Sequence, residues 1–67
     1  MQVAHIEASK VKVGDTLVFL YSSFRVLRIH DYTTFTDICP GYTARWAECD
    51  RGFCMTLVDG QLVEVAQ

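Results

Sequence analysis

Clustered positive charge is missing from this chain. Six Lys and Arg face eight Asp and Glu, the only lysines are Lys10 and Lys12, and Arg25, Arg28, Arg45 and Arg51 are scattered. Non-specific nucleic-acid binding relies on basic patches that neutralise phosphates, so the composition argues against it. Proline occurs once, at Pro40. No run approaches the ~20 continuous apolar residues of a membrane helix. The opening Met1-Gln2-Val3-Ala4-His5 lacks the basic and apolar regions of a secretory leader, and none is expected. Cysteine is scarce and its count of three is odd, which does not fit an extracellular disulfide framework. Reduced thiols in a cytoplasm are the expectation. A glycine-rich loop that would cradle phosphate is also absent.

What the chain has instead is apolar surface. Of its 67 residues 51% are hydrophobic, with four Phe, three Tyr and one Trp. So short a chain makes a single domain, residues 1–67. Ordering it costs on the order of 100 kcal/mol at roughly 1.5 kcal/mol per residue, which demands a dense core. The apolar excess further predicts that some of it is buried against a partner or in a homo-oligomer.

The stretch from Gly14 to Ile29 organises the rest. Thr16-Leu17-Val18-Phe19-Leu20-Tyr21 and Phe24-Arg25-Val26-Leu27-Arg28-Ile29 flank Ser22-Ser23, a pattern that predicts a β-hairpin turning at the serines. Leu17, Phe19, Tyr21, Phe24, Val26 and Arg28 then share one face; Thr16, Val18, Leu20, Arg25, Leu27 and Ile29 share the other. Both faces are largely apolar, whereas a half-exposed antiparallel strand alternates more cleanly. Each therefore needs cover, one from the interior and one from the remaining chain or a second copy.

Around the hairpin, Gln2–Ala8 alternates like a short strand and Ala8–Val11 suits one helical turn. Lys10–Val13 resumes alternation into a Gly14-Asp15 turn. Residues 31–43 lose periodicity and hold Pro40-Gly41, so they form a long irregular loop. Thr43–Cys49 and Phe53–Val58 read as strands about an Asp50-Arg51-Gly52 turn. Asp59-Gly60 predicts a type I′ hairpin that sets Leu57 opposite Leu62 and Thr56 opposite Val63. The predicted fold is all-β: a small barrel of about five antiparallel strands. Its predicted core is Ile6, Val13, Val18, Leu20, Leu27, Ile29, Trp46, Leu57 and Val63.

Reactive chemistry is hard to assemble from these residues. Cys39, Cys49, Cys54 and His30 offer one Cys pair where structural zinc sites show two, so no metal or other cofactor is expected. Nothing around Cys49, His5 or His30 forms a nucleophile motif, and the acids Asp31, Asp37, Glu48, Asp50 and Glu64 lack motif spacing. No catalytic residue is predicted. Tyr32, Phe35, Tyr42 and Trp46 can present a protein-binding patch, or fold back as a lid on the apolar hairpin face. Alternatively, the aromatics stack bases while Arg25, Arg28 and Arg45 track phosphates.

Val11-Lys12-Val13-Gly14-Asp15-Thr16 followed by Phe24-Arg25-Val26-Leu27-Arg28-Ile29 resembles the opening of many SH3-like barrels. Met55–Gly60 with Leu62-Val63-Glu64-Val65 resembles their closing hairpin. In layout the chain is similar to short proteins of actinobacteria and their phages. That resemblance implies a cytoplasmic bacterial or bacteriophage accessory domain that binds a host factor, and it brings no catalytic or ligand residues with it. The segment 31–43 departs from the pattern, being longer and more aromatic than a plain barrel loop.

Overall fold

A computed structural model describes residues 2–67. Six strands, β1 (Val3–Glu7), β2 (Thr16–Phe19), β3 (Ser22–Asp31), β4 (Ala44–Cys49), β5 (Cys54–Val58) and β6 (Leu62–Ala66), form one antiparallel sheet in the order β1-β6-β2-β3-β4-β5. Short 3₁₀ turns occupy Ala8–Lys10 and Asp50–Gly52, and one turn of helix, α1 (Phe35–Ile38), interrupts the long loop. The all-β expectation holds, with six strands where about five were predicted. Closure does not hold: β1 and β5, at the ends of the sheet, do not pair with each other. A different contact spans that seam. The Ala8–Lys10 turn lies against β5, Ala8 is fully buried, and Arg45 donates from Nη2 to the Ala8 carbonyl at 3.0 Å.

The sheet wraps its inner face around one cluster: Ala8, Val11, Leu17, Val26, Ala47, Cys49, Leu57 and Val65. Leu17, Val26 and Leu57 are its largest fully buried side chains. Of the predicted core, Leu57 is buried, and Ile6, Ile29 and Val63 pack half-buried against the cluster. Val18 and Trp46 are half-buried on the outer side of their strands, while Val13, Leu20 and Leu27 are exposed. The reason is which hairpin face turns inward. Leu17 and Val26 enter the core, so the Val18 and Leu20 side faces out.

The hairpin turn is also displaced. It lies at Leu20-Tyr21, which adopt φ of +50° and +65°, and not at Ser22-Ser23. Leu17 consequently opposes Phe24 rather than Arg28. Because the turn slides by an even number of residues, the division into two faces survives as far as Val26. A register shift between Val26 and Arg28 then marks a bulge at Leu27. One inserted residue reverses the alternation, which brings Ile29 back inside opposite Ala47 and leaves Leu27 in solvent.

The chain around Asp59-Gly60 departs further from expectation. β5 pairs with β4 alone, and β6 pairs with β1 and β2, so no β5–β6 hairpin exists. Gly60 has φ of +91° while Asp59 does not have positive φ, and the Gln61 N–H donates to the Val58 carbonyl at 3.1 Å. That is a type II arrangement, which splays the flanking strands instead of matching their twist. The turn is tied to the start of β4 through the Asp59 N–H and the Thr43 carbonyl, 3.0 Å apart. β6 is thereby sent across to the other end of the sheet. Lys10–Val13 likewise forms no strand: Asp15 accepts the Lys12 N–H at 3.0 Å, and Gly14 at φ +95° turns the chain into β2.

Candidate functional site

Tyr21 is fully exposed at 101% and Leu20 is 79% exposed, at the tip of the β2–β3 hairpin. The turn is of type I′, which calls for positive φ at both central residues and favours Asn and Gly. A side chain with a Cβ costs about 1–2 kcal/mol in that region. Here two large apolar side chains occupy it and point into water. The base of the hairpin is held firmly. Asp50 Oδ1 accepts the Arg25 N–H at 3.1 Å, and Arg51 donates from Nη2 to the Ser23 carbonyl. The Arg51 guanidinium also sits 4.5 Å from the Phe24 ring centre, and Phe24 stacks on Phe53 at 4.0 Å. Phe19 adds a tilted contact to Phe53 at 5.6 Å. This aromatic block supports the stem of the hairpin, with Phe24 and Phe53 half-buried against the core and Phe19 at its exposed rim.

A groove of about 540 Å³ opens beside the tip, lined by Val3, Val18, Leu20, Tyr21 and Glu64. Leu17 pairs with Val65 and both point inward. Their neighbours Val18 and Glu64 therefore face outward together. Glu64 is the one carboxylate among the lining residues. Its side chain is half exposed and its Oε1 lies 3.4 Å from Nε2 of His5, directly across the β1–β6 ladder.

The aromatics singled out in the sequence do not form one patch. Tyr32 and Phe35 pack edge to face at 5.3 Å and are both half-buried. Trp46 lies on the outer face of β4, stacked on His30 at 4.0 Å, and His30 Nε2 is 3.1 Å from Glu48 Oε1. Tyr42 is 56% exposed, near Ile38 in sequence, which is also open to solvent. The three arginines separate as well. Arg45 lies on the inner side of β4, the side of Ala47 and Cys49, and spends its guanidinium on Ala8. Arg25 and Arg28 are exposed, on either side of the bulge in β3.

The cysteines are free and dispersed: Cys39 half-buried in the loop, Cys49 buried, Cys54 exposed. Burial pushes the Cys49 thiol above its ordinary value of 9.0, with smaller contributions from Cys54 and Asp50. Among the described residues no three His, Cys, Asp or Glu side chains gather as metal ligands. No helix among them is long and apolar enough to cross a membrane.

No family model, no curated protein and no solved structure matches this chain. The chain's own geometry is therefore the basis for reading its function. The hairpin tip and its groove escaped the sequence reading because Leu20 and Tyr21 continue an apolar run and look like core strand. The available signal was negative: neither Gly nor Asn stands anywhere between Thr16 and Ile29 to ease a tight turn.

Proposed function

We propose that this chain is a non-enzymatic protein-binding module whose contact surface centres on the Leu20-Tyr21 tip. One observation carries the reading: two large apolar side chains are held in solvent at backbone angles that disfavour them. Strain of this kind persists where the surrounding structure over-determines it, and it clusters at functional sites. Exposed apolar groups on a rigid support are typical anchors of protein interfaces. The SH3-like resemblance and the free thiols support a cytoplasmic bacterial or phage accessory domain that engages a host factor.

The test is the double variant Leu20→Asn with Tyr21→Gly, which suits a type I′ turn better than the native pair. Tagged native and variant chains are compared by quantitative crosslinking in bacterial lysate. The native chain retains a partner that the variant loses. Equal capture by both would remove the tip from the interface.

A further inference from the structure

We infer that the groove beside the hairpin tip receives an extended protein segment carrying one Lys or Arg flanked by apolar residues, with the cation set against Glu64. The inference rests on the protein-binding reading and specifies the chemistry of the partner. Four of the five lining residues, Val3, Val18, Leu20 and Tyr21, offer hydrocarbon or aromatic surface. Glu64 alone brings charge, and no cationic side chain lines the groove. Its ionic partner among the described residues is His5, which carries charge only when protonated.

A carboxylate ringed by apolar walls matches the two-part chemistry of lysine and arginine. Their methylene stems lie along hydrocarbon while the charged head reaches the acid. The exposed Tyr21 ring gives such a head a second attraction through its π face. An acidic segment would be repelled by Glu64, and a purely apolar one would cover the carboxylate without a partner. The strand edge beside the groove adds to the fit. β1 is an outer strand of the sheet, so an extended segment can lie along it near Val3 and His5.

The experiment is selection of short random displayed peptides on the full chain, followed by titration of the enriched peptides. Enriched sequences place Lys or Arg between apolar residues. Their affinity falls about tenfold or more on Glu64→Gln, and again on Tyr21→Ser. A Glu64→Lys chain selects acidic peptides in their place. Enrichment without a cation, or binding unchanged by Glu64→Gln, overturns the inference yet leaves the binding reading standing if Leu20→Asn/Tyr21→Gly still abolishes capture. Failure to enrich any peptide also overturns it. Sedimentation is run in parallel. Self-association that Glu64→Gln dissolves would identify the occupant as a second copy and would likewise overturn it.

Discussion

Single residues in this chain carry roles their neighbours in sequence do not announce. Leu20 and Tyr21 are the sharpest case. Replacing them with Asn and Gly removes positive-φ strain worth about 1–2 kcal/mol per residue. The variant is therefore expected to be the more stable chain, read as a rise in the urea midpoint at unchanged m-value. A stabilised protein that has lost its partner is the pattern expected when strain serves recognition. Cys49 shows the opposite economy. It is buried with its pKa raised, chiefly by burial, whereas Cys54 is exposed. Mild alkylation followed by mass mapping should modify Cys54 well before Cys49, since the thiolate is the nucleophile. Linkage gives the same residue a pH signature. A thiol whose folded pKa is raised contributes stability below its unfolded pKa and loses it as pH climbs through the folded one. Replacing Cys49 with Ala should thus flatten the alkaline end of the stability profile. Composition and alternation made apolar burial readable, but which apolar residues face inward depends on register, which pattern alone leaves open. Val13, Leu20 and Leu27 are as apolar as Val11, Leu17 and Val26, and only the fold separates them.

Elements were easier to read than their pairing. β1, β4 and β5, the Ala8–Lys10 turn and the Gly52 turn all lie where alternation and turn chemistry place them. The β2–β3 hairpin forms as expected, but the two turn assignments failed in complementary ways. Leu-Tyr, a poor type I′ pair, makes the type I′ turn, and Asp-Gly, a favoured one, makes a type II corner. Tertiary demand explains both. The Asp50-Arg51 clamp on β3 and the Thr43–Asp59 tie on β4 decide where strands lie, and the turns comply. Gly60 is then a conformational requirement, not a matter of space, since a Cβ there would meet nothing within 4 Å. Gly60→Ala is expected to destabilise the fold by about 1–2 kcal/mol through its φ alone. Chemical denaturation checks this. A loss near zero would show that the corner relaxes to another turn.

At the level of the whole molecule, all-β content in one small unit follows from short strands, frequent turns and the absence of a long helical period. Strand order does not. β6 leaves β5 for β1 and β2, and the 31–43 loop folds a helical turn that carries no strong period. Those choices come from long-range packing that no local window contains. The open seam is the main consequence. It is bridged by the side chain of Arg45, the fully buried Ala8 and the turn that contains it. Arg45→Met keeps much of the apolar stem and removes the bond to the Ala8 carbonyl. Amide exchange is expected to quicken at Ala8 and Val11, with the β3–β4 ladder little changed. Uniform acceleration across the sheet would instead show that Arg45 supports global stability.

The same seam bears on what this chain must avoid. β5 is a terminal strand whose five residues, Cys54-Met55-Thr56-Leu57-Val58, include no charge and no proline. β1, at the opposite border, carries His5 and Glu7, which deter stacking by like chains. The Ala8–Lys10 turn lies against β5, and cover of this kind blunts an edge that could otherwise template the addition of strands from other copies.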